Sequence, residues 1–389
     1  MTAEGSESGL TVPRHVPFLD LRREIRSVET SLLEAVKASL ADADFILGAA
    51  VTAFERRFAE FVGSRYAIGV SNGLDALALA LAAADIGAGD EVIVPANSFI
   101  ASALAVSAVG ARPVLVDCGD DLLIDPRAAR AAITSRTKAI MPVHLTGQAA
   151  DMDQLGRLSE EHDLLLIEDA AQAHGARYRG RTCGSIGEIG CFSFYPSKNL
   201  GALGDAGMVT TDNPRIAERV RCLANYGKGS KYEHVELGHN CRLDTLQAAL
   251  LAAKLDRVAD WNAERRRLAA RYLALLSGND GVGLPVVHDD REHIWHLFVV
   301  THPDRDALRA HLTARGVDTL VHYPIPIHLQ RAYRDLGYQR GAFPVAERLA
   351  SECVSLPLYA FLSEDELEYV VESIRGFRTS RVPEDGVRR

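Results

Sequence analysis

A single lysine, Lys198, stands where a strand-like aromatic run meets a proline. The run Cys191-Phe192-Ser193-Phe194-Tyr195 ends at Pro196, and small or polar residues with glycines at 201, 204 and 207 follow. A lysine at a strand end faces a cleft, and partial burial lowers an ammonium pKa and frees the amine for Schiff-base chemistry. Taken alone, the stretch also describes a solvated loop lysine. Asp169 closes the apolar run Leu164-Leu165-Leu166-Ile167-Glu168-Asp169, which puts a carboxylate at the end of a second buried strand, where an acid needs a partner. It reads either as the N-cap of a helix over 170–174 or as the counter-ion of a protonated ring nitrogen. Strand ends in layered α/β sheets line the ligand crevice. An acid and a lysine placed there meet the needs of pyridoxal phosphate (PLP): the lysine takes its aldehyde carbon as an imine, and the acid keeps the pyridine protonated. An acid–pyridinium pair at about 4 Å, with an effective dielectric near 20, is worth roughly 4 kcal/mol. That equals about three pKa units, enough to keep the ring nitrogen charged at neutral pH.

Three further stretches carry chemistry. Ser71-Asn72-Gly73-Leu74-Asp75-Ala76-Leu77 follows a strand and opens an alanine- and leucine-rich helix. Free backbone N–H groups and the positive end of the helix dipole make such a turn a phosphate cradle, and Gly73 lets the chain approach the anion. Phe99, after another strand, suits stacking on a flat ring, or ordinary core packing. In Val321-His322-Tyr323-Pro324-Ile325-Pro326-Ile327-His328-Leu329-Gln330 two prolines stiffen a loop that carries two histidines and a tyrosine. No third ligand with suitable spacing supports a metal site there. A rigid polar wall for a hydroxyl-rich substrate fits the residue types better, with a purely structural loop as the alternative.

The elements that must position these residues alternate along the chain. Strands are expected at 66–70, 91–95, 112–117, 139–144, 164–169, 191–194 and 207–211, with helices such as 74–84 and 152–162 between them. This is the signature of a layered α/β domain, and the short continuous apolar strands point to a sheet covered on both faces. Residues 1–16 read as a mobile arm and 17–260 as the large domain. Between 243 and 277 there is neither glycine nor proline, and apolar residues recur at helical spacing, so one long, bent helix is expected to lead into a smaller C-terminal domain over 261–378. That domain should hold strands at 294–301 and 318–323 and helices at 304–315, 344–352 and 364–377, with a frayed tail at 379–389. The 389 residues are 47% hydrophobic and 24% charged, ordinary for a soluble globular enzyme of about two domains. No uncharged apolar run is long enough to span a bilayer, and the polar stretch 1–13 has no apolar signal core, so a cytoplasmic location is expected. Six cysteines without a Cys-x-x-Cys pair read as reduced thiols. A net charge of −9 argues against general nucleic-acid binding.

Glu168-Asp169-Ala170-Ala171-Gln172-Ala173-His174-Gly175-Ala176, Phe192-Ser193-Phe194-Tyr195-Pro196-Ser197-Lys198-Asn199 and Gly238-His239-Asn240-Cys241-Arg242-Leu243-Asp244 together resemble the nucleotide-sugar aminotransferases of the DegT/StrS type. The match runs from about residue 16 to about residue 362, with the motifs in the family's order. The resemblance implies a fold-type I PLP-dependent transferase: a large mixed sheet flanked by helices, a smaller C-terminal α+β domain, and an obligate homodimer whose active sites are shared between subunits. On that resemblance Lys198 is the Schiff-base lysine, Asp169 the pyridinium partner, and Gln172 the neighbour of the cofactor's phenolic oxygen. Phe99 takes the stacking position and Ser193 binds the phosphate with Gly73, Leu74 and Asp75, while Asn240 reaches the phosphate from the neighbouring subunit. Leu74 departs from the family, whose members often carry threonine there, which leaves the cradle to main-chain donors. Related sugar dehydratases have histidine in place of Lys198, so the lysine points to amino transfer.

The loop His322-Tyr323-Pro324-Ile325-Pro326-Ile327-His328 is similar to the subgroup acting on dTDP-3-keto-6-deoxyhexoses, which makes 3-amino sugars for antibiotics and surface glycans. In that subgroup Tyr195, His322 and Tyr323 would anchor the hexose. Tyr226, Lys228 and Lys231, on a glycine-containing loop, are candidates for the diphosphate, or form a solvated basic loop. The implied reaction moves an amino group from L-glutamate to C3 of a dTDP-ketosugar, with pyridoxamine phosphate (PMP) as the carrier form. Transfer to C4 of a 4-keto sugar and a non-catalytic PLP or nucleotide-sugar sensor are the alternatives.

Overall fold

The computed structural model describes residues 14–278 and 281–377. The expected arm, up to residue 13, and the expected tail at 379–389 lie outside the described residues. Val16 is buried and bridges Val317. Seven strands, β1 (Tyr66–Val70), β2 (Glu91–Pro95), β3 (Arg112–Val116), β4 (Thr137–Ile140), β5 (Leu165–Asp169), β6 (Ile189–Ser193) and β7 (Gly207–Thr211), form one sheet. Its order is β1-β7-β6-β5-β4-β2-β3. Pairing is parallel from β3 through β2, β4 and β5 to β6, and β7 runs antiparallel to both β6 and β1. The register sets Ser193 opposite Gly207 and Val70 opposite Gly207. The ends of β1 and β6 therefore meet the start of β7 at one edge, and the end of β5 lies alongside, with Asp169 opposite Cys191. A Cβ on Gly207 would fall 2.3 Å from the Asn72 carbonyl oxygen, which shows how closely this edge packs.

Alternation along β6 separates two faces. Phe192 packs edge-on against Phe58 at 5.0 Å, and Phe194, just beyond the strand, against the same ring at 5.2 Å. Phe58 belongs to the helix Ala49–Val62. On the opposite face Cys191 donates from Sγ to the Ala76 carbonyl at 3.5 Å, against the helix Gly73–Ala83. Both faces are covered by apolar clusters, which is why the strands read as continuous apolar runs.

Three expectations are corrected. The stretch 243–277 forms two helices, Thr245–Leu255 and Val258–Leu276. At the junction Asp256 and Arg257 keep right-handed backbone angles (φ −65° and −94°), and the Arg257 N–H shifts to the Lys254 carbonyl. A single tightened turn of this kind needs no glycine or proline to mark it. The strand expected at 294–301 is confined to β8 (Phe298–Thr301), because Trp295 adopts φ +52° and its N–H turns back to His293 Nδ1 at 2.8 Å. The strand expected at 318–323 pairs only at Leu320, with Ser355 of β9 (Cys353–Leu356). Pro324 and Pro326 have no N–H to extend the ladder, and the Ile327 N–H goes instead to the Ala96 carbonyl at 2.8 Å. β8 and β9 pair antiparallel, and with the helices Val258–Leu276, Arg305–Ala314 and Glu364–Arg375 they enclose a separate apolar core. No helix among the described residues is long and apolar enough to cross a membrane.

Candidate active site

β5 delivers two acids to opposite faces. Glu168 enters the side that holds His144 and Cys183, and Asp169 the other. Glu168 accepts the N–H groups of Gly184, Ile186 and Gly187, each at 2.7 Å, and His144 Nε2 at 2.8 Å. His144 Nδ1 accepts the Ala150 N–H at 3.1 Å, so the ring proton sits on Nε2. The Glu168–His144 pair thus spends its lone pairs on the protein itself, and it stitches the 184–187 loop to the back of the strand.

Asp169 accepts a hydrogen bond from Ser102 Oγ at 2.7 Å and from the Ala171 N–H at 3.2 Å. The second bond is what an N-cap would make, but turns follow Asp169, not a helix. Burial pushes the Asp169 carboxyl up, while Ser102, the Ala171 N–H and the positive charge of Lys198 oppose this. Lys198 lies on the turn after β6, its N–H bonded to the Tyr195 carbonyl at 2.8 Å. Burial lowers its ammonium to about 8, with the charge of Asp169 pulling the other way. The two groups thus sit at the ends of neighbouring strands and feel each other's charge.

The lysine turn is pinned by partners that the sequence did not reveal. Asn199 donates to Asn262 Oδ1 at 2.8 Å and to the Ile294 carbonyl at 3.3 Å, and its Oδ1 meets His296 Nδ1 at 3.0 Å. Lys254 donates to the Gly201 carbonyl at 2.6 Å and pairs with Glu24 at the same distance. These pairings come from sheet order and domain packing, and no local pattern encodes them. Three histidines near Lys198 stay uncharged: burial and the lysine's charge hold His174 at about 3, His322 at about 4, and His296 well below its usual range.

Gly73 begins its helix against Ser193, where a Cβ would lie 2.6 Å from the serine Cβ. Asn72 caps the helix through the Asp75 N–H at 2.9 Å, and the Asp75 carboxylate takes Ser71 Oγ and Asn72 Nδ2. Asp75 is therefore engaged in the cap, whereas no acceptor among the described residues takes the N–H of Gly73 or Leu74. Leu74 packs into the apolar cluster beneath. Gln172 accepts the Thr146 N–H at 2.8 Å and donates to the Tyr323 hydroxyl at 3.2 Å. The Phe99 ring lies 5.4 Å from that of Tyr323 and is 53% exposed, so core packing does not account for it. His322 Nδ1 is within 2.8 Å of Ser355 Oγ. His328 turns away: it is buried on Glu347 at 2.9 Å and packs edge-on against Phe343, whereas Tyr323 meets Gln172 and Phe99, and His322 feels the charge of Lys198. Tyr195 is exposed beside the lysine turn.

Tyr226, Lys228, Lys231 and Asn240 lie on a hairpin. Lys228 Nζ is 5.6 Å from the centre of the Tyr226 ring, and Asn240 bridges Asn225. Arg242 also reaches Tyr226, at 5.1 Å, and bonds Asn225 at 3.0 Å. No hydrogen bond or ring contact among the described residues joins Tyr226, Lys228, Lys231 or Asn240 to Lys198 or Asp169 of the same chain.

A seven-stranded sheet with one antiparallel strand, a lysine and an acid at adjoining strand ends, and a helix N-terminus beside them define the fold-type I class of PLP-dependent enzymes. Within it the chain belongs to the DegT/DnrJ/EryC1/StrS aminotransferase family, whose profile matches residues 27–375. It is 47% identical over 92% of its length, and 95% of the relative's, to a dTDP-3-amino-3,4,6-trideoxy-alpha-D-glucose transaminase of Streptomyces venezuelae. A dTDP-3-amino-3,6-dideoxy-alpha-D-galactopyranose transaminase of Aneurinibacillus thermoaerophilus is 49% identical over 93% of this chain and 99% of its own. Among solved structures, DesV of S. venezuelae superposes with a TM-score of 0.91 at 47% identity, covering 93% of this chain and 98% of that one. NtdA of Bacillus subtilis with bound PMP gives 0.86 at 33% identity, over 92% and 84%.

Proposed function

We propose that this protein transfers an amino group from L-glutamate to C3 of a dTDP-3-keto-6-deoxyhexose, giving a dTDP-3-amino-3,6-dideoxyhexose and 2-oxoglutarate. The observation that carries the reading is the placement of Lys198 on the turn after β6, beside the strand β5 that ends in the buried carboxylate of Asp169. The crevice residues fit PLP. Gly73 and Leu74 have N–H groups without an acceptor among the described residues, and Ser193 has a hydroxyl beside them, a place for the phosphate. Phe99 offers an exposed ring face for stacking, and Gln172 an amide for the phenolic oxygen. Bound there, PLP supplies an electron-poor ring and an aldehyde carbon that can carry the amino group between donor and acceptor.

The chain's own part is positioning and proton movement. Lys198 Nζ takes the proton from Cα of the amino donor and returns one to C3 of the sugar. With a pKa of about 8, about one amine in ten is neutral at pH 7, against about one in three thousand for an ordinary lysine. Asp169 holds negative charge against the pyridine nitrogen. The neutral imidazole of His322 and the Tyr323 hydroxyl, with Tyr195, bind the hexose, and the hairpin residues Tyr226, Lys228 and Lys231 take the diphosphate. In this reading the enzyme works in the cytoplasm as a homodimer, and Asn240 of the hairpin completes the phosphate site of the neighbouring subunit. Leu237, 97% exposed on the same hairpin, supports a buried place for it in such a pair.

C3 is favoured over C4 by the 3-amino products named for both relatives. Incubation with glutamate and a panel of dTDP-3-keto and dTDP-4-keto 6-deoxyhexoses, followed by NMR of the products, tests this. A new nitrogen-bearing C3 is expected. A product aminated at C4 would replace the regiochemistry, and no amination of any sugar would remove the enzymatic reading.

A further inference from the structure

Asp169 has one side-chain hydrogen-bond partner among the described residues. Ser102, fully buried near the start of the helix Ala101–Ala108, lies 2.7 Å from Oδ2. An ionised carboxylate has no proton to give. The Ser102 hydrogen therefore points at Asp169, and the Ser102 oxygen is left to accept. Its donor is Ser98 Oγ at 2.8 Å, also buried. The acid thus orders both hydroxyls in one direction, from Ser98 to Ser102 to Asp169. Ser98 directly precedes Phe99, and the Ser102 N–H bonds the Phe99 carbonyl at 3.2 Å. The turn that presents the exposed ring is therefore tied to the acid at two points.

We propose that the Ser98–Ser102 hydroxyl pair positions the cofactor ring, by holding Asp169 as an anion and by fixing the Phe99 turn to that same carboxylate. This rests on the PLP reading above, and both serines act through Asp169 as positioning residues. A hydrogen bond to a carboxylate favours its charged form. Without it, the proton shared between the acid and the pyridine nitrogen moves toward the acid, and the ring loses part of its electron-withdrawing character. A serine that merely filled space beside the helix would have no such effect on the ring.

The test uses PMP, which binds without needing the lysine. Its dissociation constant is measured by equilibrium dialysis with the full chain as wild type, S102A, D169N and the double variant. PMP labelled with 15N at the ring reports by NMR where the proton sits. S102A is expected to weaken binding about tenfold, the usual scale for a hydrogen bond to a charged group, and to move the nitrogen signal toward unprotonated pyridine. In the D169N background the same change should alter affinity less than twofold, because no carboxylate remains to be held. S98A should move the signal the same way by less, and it decides the matter if S102A does not fold. Equal losses in both backgrounds, or an unmoved nitrogen signal, would overturn the proposal. Failure of the wild type to bind PMP would instead overturn the cofactor reading beneath it.

Discussion

A lysine carries protons at neutral pH only if its surroundings make the ammonium uncomfortable. Around Lys198 burial does this, three neighbouring imidazoles stay neutral, and Asp169 restrains the shift. Acylation of Lys198 in the cofactor-free protein, followed by mass spectrometry across pH, should rise through a midpoint at about 8. Since the neutral amine is the reactive form, labelling falls about tenfold per unit below that midpoint and levels above it. A midpoint near that of an exposed lysine would show that the crevice does not tune the group. Lys198 and Asp169 are legible in the sequence because each ends a run whose strand character is local. Ser102 and His296 are not, since their bonds span 67 and 97 positions and exist only once the sheet is ordered.

At the scale of elements, the site depends on β5 being held from behind. Glu168 accepts four hydrogen bonds at full burial, so the face opposite Asp169 is fixed by main-chain donors. Burial alone would raise its carboxyl, but His144 and the Gly184 and Gly187 N–H groups outweigh this and hold it below its ordinary range. A depressed carboxyl contributes stability above its unfolded pKa and loses it as pH falls through the folded value. Glu168→Ala strands those donors and should cost about 3–5 kcal/mol, read as a lower thermal midpoint at pH 7, with the difference from wild type shrinking in acid. An unchanged midpoint would mean that the 184–187 loop does not brace the strand. The sequence marked Glu168 only as a neighbour of Asp169, because a two-residue period says which faces differ and not what covers them. The same limit hid the turn at Asp256–Arg257, where the backbone stays in the helical region.

For the whole molecule, strand–helix alternation made the layered sheet readable, and three short motifs narrowed it to a family. The resemblance assigns Asn240 of the hairpin to the neighbouring subunit's phosphate, and within one chain the hairpin meets the phosphate turn only through Cys241 and Arg242, with no bond among the described residues from Tyr226 or Asn240 to Lys198 or Asp169. The proposed homodimer supplies that neighbour. Sedimentation should give twice the chain mass of 42.2 kDa, and Leu237→Asp should shift the protein toward monomer and weaken PMP binding in parallel. A monomeric wild type with full cofactor affinity would show that one chain suffices.

The central claim is that one amine of this chain, Lys198 Nζ, meets the cofactor's aldehyde carbon. Adding PLP to the purified protein, reducing with borohydride and mapping the peptides tests it directly. The account predicts one pyridoxyl group on Lys198 and none at that position in Lys198→Ala, whose amino transfer should fall by at least about a thousandfold while its fold is kept. A pyridoxyl group on another lysine, or amino transfer that survives in Lys198→Ala, would contradict it.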